Sequence, residues 1–244
     1  MAINKLNKDE VLTTMKREFS RTRALALFVM LVAIFGFFTS LNFGRATLDY
    51  YFVRNAIESW QTDKDAQTEA AFVAAQEAVS QAHSKHESHP LYLDMSGQVS
   101  EWGVVAGYAT AQSLDDAKAY YLRAAALRPA WPVTWGSLAM IKWRKQEFDE
   151  EMMTYLNNAD RFGAQKPEIH VLFSELGLAL YTANHPFYTG ISEQTKQRLV
   201  RGLRNPVSRD RVLTSVKLNN AKEFACIWSK SRDTYVHNNI LECA

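Results

Sequence analysis

Three histidines recur at steps of three residues in HSKHESH, and His83, His86 and His89 so close together could converge on a metal ion. Side chains at such steps drift around a helix, so the segment reads instead as a solvated helix end. Asp63, Lys64 and Asp65 form a DxD, the arrangement that holds a nucleotide-sugar metal in glycosyltransferases. No strand-rich nucleotide-binding pattern surrounds it, and it reads as a charge cluster between helices. The only two cysteines, Cys226 and Cys243, sit in neither CxxC nor zinc-type spacing. In an oxidising compartment they would pair; otherwise they stay as two thiols. No Walker A loop, Rossmann fingerprint, HExxH or GxSxG elbow occurs. The expectation is no catalytic residue, no metal and no cofactor.

Binding is the other chemistry to weigh. A basic run begins in the C-terminal third with Lys196, Arg198, Arg201, Arg204, Arg209 and Arg211. Such a run suits lipid headgroups, an acidic protein or an anionic polysaccharide. Interleaved Leu199, Leu203, Val212 and Val216 make it equally the solvated face of amphipathic helices. The formal net charge of +2 carries no signature of nucleic-acid binding, because the basic excess of the chain is concentrated in its first 23 residues.

These residues must be positioned by helices. The 244 residues are 47% hydrophobic, with only 10 glycines and 6 prolines, and long Ala, Leu, Glu, Lys and Gln-rich runs favour an all-α fold. The chain has room for one membrane span and a domain of roughly 150 to 200 residues.

Between Arg23 and Arg45 no residue is charged, and Ala24 to Leu41 reads ALALFVMLVAIFGFFTSL. At about 1.5 Å per helical residue the stretch 24–44 approaches the ~30 Å thickness of a bilayer core. It is longer than a signal-peptide apolar region and lacks an A-x-A-like exit, so a retained anchor is expected. Lys16, Arg17, Arg21 and Arg23 precede it and only Arg45 and Arg54 follow closely, which places residues 1–23 in the cytosol and the rest across the membrane. In a bacterium this is the inner membrane with a periplasmic domain. Phe43, Tyr50, Tyr51, Phe52 and Trp60 fit an aromatic belt and a juxtamembrane helix or linker over 45–66. Gly36, Ser40 and Gly44 have the small-xxx-small spacing that lets another membrane helix approach.

Downstream, one register fits a helical repeat of about 34 residues. Starting at Gln98, its core positions fall on Val104, Tyr108, Ala117, Tyr121, Ala124 and Pro129, within text that includes DAKAYYLRAAALRP. Continued from Pro132, it places Trp135, Leu138, Ala139 and Tyr155 inside a second hairpin, weakened by Lys142 at a tyrosine-type position and Asn158 at a small one. A third hairpin runs from Pro167, with Leu176 and Gly177 as an LG pair and 192–204 as its second helix. With an upstream pair, about four helix pairs would stack over 67–218, leaving 219–244 as a C-terminal segment. The register predicts that Val99, Trp102, Ala106, Thr110, Val133, Met140, Trp143 and Arg144 face a groove. Trp102, Thr110, Met140, Trp143 and Arg144 are the residues expected to touch a protein partner.

These segments, with LRPAWPVTWGSLAMIKWRKQEFDEEMMTYLNNADRFG and HVLFSELGLALY, resemble the TPR-containing, VpsP-type family of exopolysaccharide biosynthesis proteins over about two thirds of the chain. The resemblance implies a membrane-anchored TPR-like α-solenoid acting as a non-catalytic scaffold in polysaccharide synthesis or export. Two alternatives remain open from the sequence: an assembly or chaperone factor of another envelope pathway, such as cytochrome maturation or cell division, and a glycosyltransferase through the DxD.

Overall fold

The computed structural model describes residues 3–63 and 65–243. Lys64 of the DxD lies outside the described residues, as do the side chains of 3–12, Lys16 and Glu18. Among the described residues the chain is all-α, without strands. Helix α1 spans Ile3–Thr62, α2 Glu69–Lys85, α3 Pro90–Val105, α4 Ser113–Leu127 and α5 Pro132–Arg144. Helix α6 follows at Glu150–Phe162, α7 at Pro167–Thr182, α8 at Tyr188–Arg204, α9 at Arg209–Leu218 and α10 at Lys222–Lys230, before a π-helical turn over Val236–Ile240.

Helix α1 changes character along its length. From Leu25 to Phe43 its large apolar side chains are exposed all round, and this is the one described helix long and apolar enough to cross a membrane. From Ala46 onward Val53, Ile57 and Trp60 recur on one face, and these four are buried against α2 and α3. Of the two forms expected for 45–66, helix or linker, the chain is helical to Thr62, continuous with the apolar segment. The helix that carries the apolar segment is also the first helix of the folded body. Trp60 belongs to that body's core rather than to a membrane belt, and its ring meets Trp102 edge-on at 6.0 Å.

The strongest packing is between consecutive helices, giving the antiparallel hairpins α1/α2, α3/α4, α5/α6 and α7/α8. The odd-numbered helices share a pattern at both ends. Pro90, Pro132 and Pro167 open α3, α5 and α7, where a missing amide hydrogen costs nothing. Gly107, Gln146, Asn184 and Asn220 follow α3, α5, α7 and α9 in the left-handed region, at φ of 80°, 57°, 51° and 50°. In each case the next amide reaches back five residues: Tyr108 to the Gly103 carbonyl at 2.8 Å, and Glu147, His185 and Ala221 to Lys142, Leu180 and Val216 at 2.9 Å. This Schellman closure satisfies helix-end carbonyls and turns the chain at the same phase each time. Even-numbered α2 and α6 start on side-chain caps instead, with Thr68 accepting from the Ala71 amide at 3.1 Å and Asp149 from Met152 at 3.0 Å.

Ala117, Tyr121, Ala124 and Leu138 are fully buried and Tyr155 nearly so, as the repeat register requires. Ala139 is also fully buried and Val104 packs against the same cluster, whereas the register's phase, Tyr108, Pro129 and Trp135 are placed differently. Helix α3 begins at Pro90, eight residues before Gln98, and Gly97 is the position that lies against the Tyr121 ring, where a Cβ would come within 2.5 Å. Because α3 ends at Val105, Tyr108 is outside it and exposed; it stacks on Phe72 and donates to the Gln67 carbonyl at 2.7 Å. Pro129 is exposed, and its carbonyl accepts from Trp135 Nε1 at 2.7 Å, which holds Trp135 half-buried at the rim of the core. In α6 Ala159, not Asn158, is the buried small residue. Helix α8 starts at Tyr188, so part of HPFYTG is helical.

The C-terminal segment from 219 packs on the last hairpin. Ala221, Ala225, Trp228, Val236 and Leu241 share one apolar cluster with Leu199, Leu203 and Val212 of α8 and α9. A Cys226–Cys243 disulfide, with Cα atoms 5.7 Å apart, ties the chain end to α10.

Candidate partner groove

The expected groove residues divide in two. Met140 and Val133 of α5 line a recess of about 160 Å³ with Glu101 of α3 and Glu168, Leu172 and Glu175 of α7. Next to it, Trp143 and Glu175 line a second, larger recess of about 440 Å³ with Arg211, Thr214 and Leu218 of α9. Odd-numbered helices supply these walls, since their parallel rise places equivalent positions side by side. Two ion pairs cross between neighbouring odd helices here. Arg144 Nε donates to Glu101 at 2.6 Å, and Arg211 Nη2 donates to Glu175 at 3.1 Å. Tyr121 OH, buried in α4, donates to the other Glu101 oxygen at 3.2 Å. Burial and the neighbouring Glu101 carboxylate both raise the Tyr121 pKa, so the phenol stays protonated as a donor.

Met140, Trp143 and Arg144 are thus brought together; the other two expected residues are not. Trp102 turns toward Trp60 in the α1/α2/α3 core, together with Val99, which is buried. Thr110 lies in the loop after α3, because the Gly107 turn ends that helix first. Glu101, Glu175 and Arg211 were missed as groove residues. With α3 and α7 both opened by proline, counting from Pro90 and Pro167 would have put the two glutamates on one face.

The basic run of the C-terminal third is not one patch. Arg198 is 2% exposed and works as an internal tie. Its guanidinium donates to Asp160 at 2.7 Å and to the Gly163 and Ala164 carbonyls at 2.8 and 2.9 Å, joining α8 to the end of α6. Arg209 caps the end of α8 through the Leu203 and Arg204 carbonyls at 2.9 and 3.2 Å. Lys196 and Arg201 are half-buried, Arg204 is exposed, and Arg211 belongs to the groove.

The histidine series does not converge either. His83 meets Tyr120 edge-on, whereas His86 and His89 lie 5.2 Å apart and His89 stacks on Tyr92 at 4.2 Å. Burial, His86 and Arg128 hold His89 below the usual imidazole range, and burial with Arg123 does the same for His83. Asp63 and Asp65 close a short turn, with the Asp65 amide donating to Asp63 Oδ1 at 2.9 Å. In the apolar span Gly36 and Gly44 face open space, with no other helix against them.

No protein-family model matches this chain, and no curated protein is similar enough to match it.

Proposed function

We propose that this protein is a membrane-anchored, non-catalytic scaffold whose helical hairpins stack as a TPR-like solenoid and dock a segment of a partner protein on the odd-helix face. The observation that carries this reading is the groove of Met140, Trp143, Glu101, Glu175 and Arg211, built from one face of four successive odd helices and fixed by interhelical ion pairs. An aromatic and an aliphatic anchor beside charged rims is a composition that suits protein segments. The repeated proline openings and Schellman closures support the solenoid reading, because they return the chain to one phase at each hairpin. The disulfide supports a domain on the oxidising side, the bacterial periplasm, with residues 1–23 in the cytosol.

The resemblance to the VpsP-type family supports a partner in the exopolysaccharide synthesis and export machinery of the inner membrane. The test is site-specific photo-cross-linking from Met140 in cells, with Trp143→Ala and Arg144→Glu as variants. A polysaccharide synthesis or export component should be cross-linked in the parent and lost in both variants, with helicity retained. A partner from haem maturation or cell division would move the scaffold to another envelope pathway, and undiminished cross-linking in both variants removes the groove assignment.

A further inference from the structure

The antiparallel hairpins sort their connections onto two edges of the stack. Loops that join an even helix to the next odd one, 86–89, 128–131, 163–166 and 205–208, lie on one edge. Contacts make that edge continuous. Asp94 at the start of α3 pairs with Arg128 after α4 at 2.5 Å, Trp131 lies under both Arg128 and Lys166, and Ala164 accepts from Arg198 and Arg201 of α8. The same edge is where α1 leaves its apolar stretch: Phe43 packs on His86 at 5.1 Å, and Asp49 pairs with Lys85 at 2.6 Å.

Composition separates this edge from the opposite one. Here exposed Leu127, Phe162 and Val207 are interspersed with Arg161, Arg204 and Arg123, against exposed Glu87, Glu168 and Asp210, and Arg204 also reaches Asp233 at 3.6 Å. Three aromatic rings carry a basic group over their faces: Trp131 under Arg128 and Lys166, Phe162 under Arg161, and Tyr235 under Arg204. The far edge, holding the 63–68, 106–112, 145–149, 183–187 and 219–221 loops, carries Asp63, Asp65, Asp115, Asp116 and Glu150; carboxylates engage Lys118, Lys142 and Lys145 there, and Lys217 and Lys222 are exposed at its α9–α10 end. Apolar and aromatic side chains mixed with arginine and lysine, level with the end of a membrane span, are the composition of a bilayer interface.

We propose that the loop edge bearing Arg128, Trp131, Arg161, Phe162, Lys166 and Arg204 lies on the headgroups of anionic phospholipids. The proposal rests on α1 crossing the membrane, as the proposed function requires, and adds that the folded body is seated on the bilayer beside its own anchor. The lipid phosphates meet the guanidinium and ammonium groups while Trp131, Phe162 and Leu127 enter the interfacial layer. The acidic edge then points away from the membrane.

The test uses the full chain in vesicles of phosphatidylcholine alone or mixed with phosphatidylglycerol. An environment-sensitive fluorophore is attached at Ala130→Cys on the basic edge or at Ala111→Cys on the opposite one. The Ala130 label should become severalfold brighter and blue-shifted with phosphatidylglycerol present, and be quenched by a spin-labelled lipid; the Ala111 label should do neither. Arg161→Glu combined with Lys166→Glu should abolish the response. Should that variant misfold, salt of about 1 M, which shortens the Debye length to roughly 3 Å, must weaken the response of the parent. A water-like Ala130 signal in both vesicles, equal responses at the two positions, or insensitivity to both charge reversal and salt overturns the proposal. A chain that fails to float with either vesicle overturns the membrane anchor itself, whereas a floating chain with a water-like Ala130 label removes only the seated edge.

Discussion

Lys142 shows how one side chain can be both a departure from a repeat and a reason for its stability. It is 3% exposed, and its ammonium donates to Glu147 and Asp149 at 2.6 Å and to Glu151 at 3.1 Å. Burial would lower its pKa, but the hydrogen bonds to Asp149, Glu147 and Glu151 outweigh that and raise it. Lys142→Met should cost about 1–3 kcal/mol, read as a lower urea midpoint, because three carboxylates would then face one another; their partial exposure keeps the loss below that of a fully buried pair. His170 sets an acid limit. Burial first, then Arg198 and Arg201, lower its pKa to about 4. The unfolded chain therefore binds a proton that the fold refuses, and stability falls as pH drops from the ordinary imidazole range to about 4, by up to about 3 kcal/mol. His170→Gln should flatten that part of a plot of urea midpoint against pH. Asp94 slopes the other way: burial, opposed by Thr134 and Arg128, raises it to about 6, so its contribution is lost as pH rises from the usual carboxylate range to about 6. Its own variant, Asp94→Asn, should remove that opposing slope.

At the scale of elements, contact between paired helices depends on small residues facing particular partners. Gly177 of α7 lies against Thr195 of α8 so closely that an added Cβ would overlap the threonine side chain, which is fully buried. Gly177→Ala should destabilise by about 1–3 kcal/mol in thermal unfolding, since overpacking outweighs the roughly 1 kcal/mol that alanine offers within a helix. Adding Thr195→Ala should recover part of the loss, because it removes the two nearest threonine atoms but keeps a Cβ 2.8 Å from the added methyl. Helix class and the second helices of the hairpins were legible because alanine, leucine and tyrosine at helical spacing record burial directly. The first helix of the 98–129 hairpin was misplaced because its length depends on where the chain turns, and Gly107 ends it early. Gln146 and the two asparagines that make equivalent turns carry no strong sequence signal, since backbone closure rather than residue type selects the left-handed conformation. Met140, Trp143 and Arg144 could be read from one hairpin, but Glu101, Glu175 and Arg211 come from three others. Their alignment depends on the true phase of each odd helix.

For the whole molecule, the Cys226–Cys243 bond closes the C-terminal cluster over α8 and α9. Its reduction, or Cys226→Ser, should cost on the order of 3 kcal/mol in the chain-entropy account, seen as a lower unfolding temperature with the α3/α4 hairpin still protected from hydrogen exchange. A reporter fused after Ala244 that works only on the translocated side should be active; activity of a cytosol-type reporter alone would reverse the orientation. The unbroken α1 adds a geometric constraint, because a helix without a joint fixes angle as well as distance. The azimuth at which the groove looks out, relative to any neighbour gripping the span, is written into the helical phase at Gly44 and Arg45. One alanine inserted there should rotate the body by about 100° and lift it by about 1.5 Å, whereas seven should restore the azimuth to within about 20° and raise the body by roughly 10 Å. A machine that reads direction would tolerate seven and fail with one; a machine that needs only the grip of the headgroups would do the reverse.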